Sequence, residues 1–404
     1  MNAADSTIQA RTVRVLVAGQ VLAGLGQGAT VAIGSILATE VSGSEAWAGA
    51  GATLSTLGAA AAAIPLARVA MRFGRRPALA GGALTAALGS VVTVIAAGSG
   101  IFPLLLIGFA LLGVGAAVGL QARFAATDVA APKRRARDLS IVVWSTTVGA
   151  IVGPNLFGPG VPIATALHLP PHTGSFVIAV AAQLLAAATY LVLLRPDPLV
   201  LARDRPVQLA PADAGIIRGR GALIFAITAL ALSHAVMVSV MSMTAVHLTD
   251  QGASLTVVGF TLSLHVAGMF GLSPLFGWAS DRIGRIPGIL MGQLLYVVAI
   301  LVISLGASNT VSVAVGLVLL GLGWSASTVS ASALVSDLAT GKERVRIQGR
   351  TDLVMNIAGA LGGALAGPVL AIVGYAGLAL GVGVLVLGVI GAASVVGQRT
   401  RLVA

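Results

Sequence analysis

The sequence predicts an all-α polytopic membrane protein: twelve transmembrane helices arranged as two six-helix, pseudo-symmetric bundles. Three observations carry that expectation: an apolar composition, twelve runs of membrane-spanning length, and loop residues repeated at nearly one offset. Of 404 residues 57% are hydrophobic and 9% are charged, with a mean hydropathy of +1.00. A soluble globular chain carries about 25% charged residues, so lipid must solvate most of this surface. The 52 glycines suit helices that approach closely in a bilayer. Cysteine is absent, which removes disulfides and thiolate metal sites.

Crossing about 30 Å of hydrocarbon takes roughly 20 helical residues. Runs of that kind cover about 13–39, 47–70, 77–98, 101–124, 139–166, 175–194, 220–248, 256–279, 287–306, 310–333, 351–373 and 376–396. The opening stretch Met1–Thr12 is short and polar and has no cleavable signal pattern. With the N-terminus inside, all 24 Lys and Arg fall on inside segments or the adjoining helix ends, from Arg11 and Arg14 to Arg399 and Arg401. The outside loops hold Glu40, Glu45, Asp250 and histidines but no lysine or arginine. This positive-inside bias predicts a multi-pass protein of the plasma (cell inner) membrane with both termini cytoplasmic. The net charge of +11 therefore orients the chain, and no nucleic-acid partner is expected.

The longest polar stretch carries Pro196, Pro198, Pro206 and Pro211 among mixed charges and reads as a linker. It divides the chain into an N-terminal six-helix bundle (1–194), a cytoplasmic linker (195–219) and a C-terminal six-helix bundle (220–404). The halves repeat each other. Gly284 lies 210 residues after Gly74, and Pro287 lies 210 after Pro77. Asp128 with Lys133 and Arg134 matches Asp337 with Lys342 and Arg344 at offsets of 209 and 210. Gly113-x-Gly115 matches Gly321-x-Gly323 at 208, and Gly149-x-x-x-Gly153-Pro154 matches Gly363-x-x-x-Gly367-Pro368 at 214. Six spans restore the starting side, so the two repeats share one topology.

The turn after span 8 reads Gly-Trp-Ala-Ser-Asp-Arg-Ile-Gly-Arg over 277–285, and its partner after span 2 reads Ala-Arg-Val-Ala-Met-Arg-Phe-Gly-Arg-Arg over 67–76. On these residues the chain resembles the major facilitator superfamily over essentially its whole length. That family's loop signature is Gly-x-Leu-Ala-Asp-Arg-x-Gly-Arg-Arg. In the second copy Gly277, Asp281, Arg282, Gly284 and Arg285 match. In the first, Arg72, Gly74, Arg75 and Arg76 match, while Met71 stands at the acidic position and Ala67 at the leading glycine. The resemblance implies a cytoplasmic clasp or gate in which the Asp281 carboxylate accepts hydrogen bonds at a helix N-terminus, where the dipole favours anions. The neighbour it implies is the start of span 11, near Thr351 and Asp352. A simple topogenic loop accounts for the same residues. Span 5 resembles the family's antiporter signature through Gly149, Gly153, Pro154 and Gly158, with Phe157 in place of one glycine. Proline kinks the span and glycine admits a neighbour, which a plain packing helix would also use. Of the proton-coupled exporters' span 4 signature Gly113 and Gly115 are present, but Phe109 and Leu112 replace its arginine and glutamine.

Ionisable groups inside a membrane are functional candidates. No carboxylate reaches mid-depth; the deep polar residues are Gln27, Asn155, His234 and Trp324, with His265 nearer the outside. By resemblance spans 1, 4, 7 and 10 line a central cavity, which takes in Gln27, His234 and Trp324; Asn155 of span 5 and His265 of span 8 are counted with them as the expected substrate cavity. Gln27 and His234 are 207 apart and hold equivalent places in the two repeats. His234 and His265, roughly 7 Å apart in depth at 1.5 Å per residue, are the candidates for proton coupling. Met237, Met241 and Met243 read as packing rather than a metal site. Neither a metal-ligand spacing nor a Gly-Lys-Ser/Thr phosphate loop is present, so neither an enzyme nor a cofactor is expected. The resemblance implies a monomeric secondary transporter with partners in the bilayer and a small-molecule substrate; coupling to protons and driving by the substrate gradient alone both stay open. It implies export of a small apolar or amphipathic organic compound by alternating access. Open alternatives are a facilitator or symporter of a neutral metabolite, and a non-transporting receptor or assembly factor on the same fold.

Overall fold

The computed structural model describes residues 3–44, 47, 50–152, 156–203, 219–339 and 343–401. They are helical apart from short connections. The first half runs α1 (Ala3–Ser42), α2 (Ala50–Phe73), α3 (Arg75–Ser99), α4 (Phe102–Ala125), α5 (Arg135–Val152), α6 (Phe157–Ala166), α7 (Gly174–Leu193) and a short α8 (Pro198–Arg203). The second half runs α9 (Arg220–Asp250), α10 (Leu255–Phe270), α11 (Ser273–Ile283), α12 (Arg285–Leu305), α13 (Thr310–Leu338) and α14 (Arg344–Arg401).

Among the described residues nine helices or helix pairs are long and apolar enough to cross a membrane. Those nine leave out α1 and the interrupted span 5 (α5 and α6), and they count α14 once. Gly374, at φ 70°, breaks α14 into the expected spans 11 and 12. Span 8 is likewise divided, where Pro274 opens α11 after a two-residue break. Local sequence sets other boundaries. Asn309 caps α13 by accepting from the amides of Val311 (2.9 Å) and Ser312 (3.1 Å). Gly74 and Gly284, the twins of the repeat, both sit at φ 100°, a conformation that side-chain-bearing residues rarely adopt.

The chain forms two compact units, neither of them contiguous. Unit 1 comprises Met1–Ala130, Ser145–Pro206 and Gly341–Leu353; unit 2 comprises Ala131–Trp144, Val207–Thr340 and Val354–Ala404. Thus the start of span 5 belongs with the second half of the sequence, and the start of span 11 with the first. In unit 1 Ile33, Leu37, Leu105, Phe109, Leu112 and Phe176 form one buried apolar cluster. In unit 2 Val240, Tyr296, Ile303, Leu317 and Leu320 anchor a larger one. Other large apolar side chains face outward, Leu305 at 87% and Ile372 at 82% exposure. Water would penalise such a surface, and hydrocarbon does not.

Candidate functional site

Each glycine turn delivers an arginine into a buried charge cluster. In unit 1 Arg75 is fully buried: its Nε donates to Asp128 Oδ2 at 2.8 Å and its Nη2 to Oδ1 at 3.3 Å. Its Nη1 donates to Gln121 Oε1 (2.6 Å) and its Nη2 also to Gln348 Oε1 (2.5 Å). Arg344 completes the cluster from the swapped segment, donating to the Thr127 carbonyl at 2.9 Å and lying 3.9 Å from the Asp128 carboxylate. A further buried pair, Arg123 with Asp352 at 2.7 Å, ties the same segment to α4.

Unit 2 repeats this plan. Arg285 Nε donates to Asp337 Oδ2 at 2.8 Å, and Arg135 donates to the other oxygen of that carboxylate at 2.8 Å. Arg285 also pairs with Asp281 and donates to the Pro132 carbonyl at 3.0 Å. The symmetric unit is therefore Arg75–Asp128–Arg344 in one case and Arg285–Asp337–Arg135 in the other. In each, the third member comes from the segment supplied by the opposite sequence half. Charges this deeply buried are tolerable only when paired and hydrogen-bonded.

Asp281 accepts from the amides of Ala136 (3.2 Å) and Arg137 (2.9 Å), the first turn of α5. This corrects the expected neighbour: the capped helix is the start of span 5, not Thr351 and Asp352 of span 11. The cause is the exchange of segments, since 131–144 packs in unit 2 beside the second turn and 341–353 in unit 1 beside the first. In the first copy Met71 replaces the carboxylate and joins the apolar cluster of Ala67, Ala70, Ala78, Leu199 and Val345. Small residues are exchanged as well. Gly277 packs against the Ala136 carbonyl, where an added Cβ would come within 2.6 Å. In the first copy Ala67 carries the bulk and Gly349 yields, its own added Cβ falling 2.5 Å from that of Ala67.

The other signature residues divide. Arg72 and Arg282, also 210 apart, are exposed and lie over the rings of Phe73 (5.0 Å) and Trp278 (4.5 Å). Arg76 contributes its backbone amide to Asp197 at 2.8 Å. Sequence reasoning assigned no role to Arg135, Arg344, Asp128, Asp337, Gln121, Gln348 or Arg123. The signal was there: arginine follows aspartate by seven positions twice, at Asp128 and Arg135 and at Asp337 and Arg344.

Asp281→Asn is expected to lower transport more than tenfold, because one carboxylate serves two amides and Arg285. Charge-assisted bonds contribute about 1.5–3 kcal/mol each. Met71→Ala, which trims only apolar contact, should have a far smaller effect; initial flux rates in vesicles compare the two, and equal losses would refute the asymmetry.

Two expected cavity residues meet inside unit 2. Trp324 Nε1 donates to His234 Nδ1 at 3.0 Å, and Phe270 stands edge-on to the indole at a centroid distance of 5.5 Å. An indole N–H only donates, so His234 Nδ1 is the acceptor and this hydrogen bond requires the Nε2–H form of a neutral ring. Gly359 lies against the imidazole, where an added Cβ would reach 2.8 Å from Nε2. His265 is not brought to this group: it is fully buried, with Nδ1 2.7 Å from the Leu317 carbonyl. Met237 is buried in the unit 2 core, with Met241 and Met243 against it. The Gln27 side chain, Gly153, Pro154 and Asn155 lie outside the described residues. Gly149 packs on Gly24 within unit 1, and Gly158 is exposed. A polar layer missed from sequence sits nearby: Gln293 Nε2 donates to Ser233 Oγ (2.9 Å) and Ser327 Oγ (2.8 Å).

A family model described as Major Facilitator Superfamily matches residues 16–252 and 227–401. The chain is 34% identical over 391 residues to the uncharacterized MFS-type transporter YdeG of Bacillus subtilis, covering 95% of this chain and 91% of that protein. It is 28% identical over 353 residues to the riboflavin transporter RfnT of Brucella anthropi, covering 87% of each. Among solved structures, the human organic anion transporter MFSD10 matches with a TM-score of 0.71 at 16% identity, covering 95% of this chain and 99% of that one. At that identity the likeness speaks for the fold.

Proposed function

The chain belongs to the Major Facilitator Superfamily, an integral membrane transporter rather than an enzyme, and from that premise we propose that it exports small apolar or amphipathic organic compounds by alternating access. The observation that carries the substrate class is the Trp324–His234–Phe270 group. Trp324 is 5% exposed, so the group would meet substrate only when the cycle opens it, and its rings would then suit a planar aromatic compound. Kinship with a protein named as a riboflavin transporter supports planar heteroaromatic compounds as the first to try. Export is favoured by the glycine signature of span 5, of which Gly149 packs closely on Gly24.

In the orientation proposed from the distribution of arginine, the two charge clusters lie at the cytoplasmic end. The segments 131–144 and 341–353 are each seated among helices of the opposite sequence half. Release of these seats is the step that would open a path from that side. Coupling to protons through His234 requires loss of the Trp324 hydrogen bond on protonation of Nδ1. That makes His234, rather than the enclosed His265, the better of the two candidates.

Counterflow of riboflavin and of ethidium in proteoliposomes tests the reading, since exchange needs no driving gradient. Wild type is expected to exchange at least one of them, and Trp324→Ala to raise the half-saturating concentration roughly tenfold. An aromatic contact of about 0.5–1.5 kcal/mol beyond its buried area sets that scale. Exchange by wild type that Trp324→Ala leaves unchanged would remove this group from the substrate site.

A further inference from the structure

The opening residues of the linker are not a loose tether. Pro196 and Pro198 flank Asp197, and the short α8 begins directly after it. One Asp197 oxygen, Oδ1, accepts from the amides of Leu199 (2.9 Å) and Val200 (3.2 Å), capping α8. The other, Oδ2, accepts from the amide of Arg76 at 2.8 Å, at the first turn of α3. A single carboxylate thus caps two helices. At the far end of α8, Arg203 donates through Nη2 to the carbonyls of Ala70 and Met71, near the end of α2. An anion at the start of α3 and a cation at the end of α2 are the favourable signs for both dipoles. Between them Leu199, 5% exposed, enters the apolar cluster that also holds Val345 and Met71.

A helix of six residues is too short to persist alone, so α8 owes its form to this seat. The seat also explains Gly74 beyond its φ of 100°: a Cβ there would strike the Asp197 carboxylate. The second turn has its own acid, Asp281, whereas the first has Met71 in that place. We propose that residues 197–203 are a clip that positions the first glycine turn, and with it Arg75 for Asp128. Asp197 and Arg203 are then positioning residues of the transport cycle. The clip does not copy Asp281, which caps α5 rather than the helix following its own turn. It supplies from outside the repeat the carboxylate that the first turn lacks.

Spin labels on Phe73→Cys and Val200→Cys test this directly, because the chain has no native cysteine and both side chains are exposed. Their distance distribution is expected to be single and narrow in the otherwise wild-type protein and to broaden in Asp197→Ala/Arg203→Ala. In the same double variant, without labels, maximal counterflow should fall roughly tenfold with little change in half-saturating concentration, the population change that about 1.4 kcal/mol produces. Asp197→Asn with Arg203 intact keeps one capping oxygen but turns an NH2 donor toward the other helix start, so it should recover only part of the loss. An unchanged distance distribution, or a broadened one with undiminished counterflow, overturns the proposal. Arg203→Ala alone, at an exposed residue, serves if the double variant does not fold. The spin-label measurement needs no substrate, so it decides the clip separately from the substrate class.

Discussion

Arg75→Met is expected to abolish transport and lower the melting temperature, while Arg285→Met keeps a measurable fraction of both. Arg75→Met takes its arginine from Asp128, and Arg285→Met from both Asp337 and Asp281, but what remains differs: Asp281 keeps the two amides of α5. Asp337 keeps Arg135 at 2.8 Å. Asp128 keeps only the longer approach of Arg344, 3.9 Å away, among the ion pairs of the described residues. Breaking a buried pair by removing one partner costs about 3–5 kcal/mol, because a charge is left uncompensated. Arg75→Met also strands Gln121 and Gln348, each of which receives one of its hydrogens. Adding Asp128→Leu to Arg75→Met should recover much of the melting temperature, since an apolar replacement of both partners is often neutral. Transport should stay low, because the segment 341–353 loses its polar seat. Equal losses in the two single variants, measured as melting temperature and initial flux, would show that the clusters are interchangeable.

Gly349→Val is expected to be strongly damaging. A Cβ at that position would fall 2.5 Å from Ala67 Cβ and 3.1 Å from the Ala63 carbonyl, and neither can retreat without moving backbone. Overpacking of this kind costs about 1–3 kcal/mol or more. The milder Gly349→Ala should cut flux severalfold, and Ala67→Gly in the same chain should restore it. The second copy already has that arrangement, with glycine on the turn side at Gly277 and the bulkier Ser140 facing it. Failure of Ala67→Gly to rescue would mean that Gly349 is needed for something other than room.

Membrane span number and the duplication were legible because both rest on patterns that one chain displays by itself. Composition and run length report the solvent, and an offset near 210 reports the repeat. The twin turns at Gly74 and Gly284 have the same φ, as their spacing implies. The partner of Asp281 was not legible, since no local pattern states that the starts of spans 5 and 11 are exchanged between units. Asp128 and Asp337 were visible only as repeat markers; their arginines sit in segments that the loop signature does not cover. Asp197 was hidden for a different reason. Prolines and mixed charge mark a linker, and whether a linker docks depends on amides and carbonyls of distant helix ends that sequence does not display. His234 and Trp324 were each expected as cavity residues from sequence, but their hydrogen bond was not legible.

In the proposed cycle, release of the segment 341–353 from its seat in unit 1 is the step that opens the cytoplasmic side. With no native cysteine, Met71→Cys/Val345→Cys can be joined by a short bifunctional methanethiosulfonate, both residues belonging to the same apolar cluster. Counterflow of riboflavin or ethidium is expected to stop when the link forms and to return when a reductant cleaves it. Full counterflow in completely linked protein would contradict the proposed cycle.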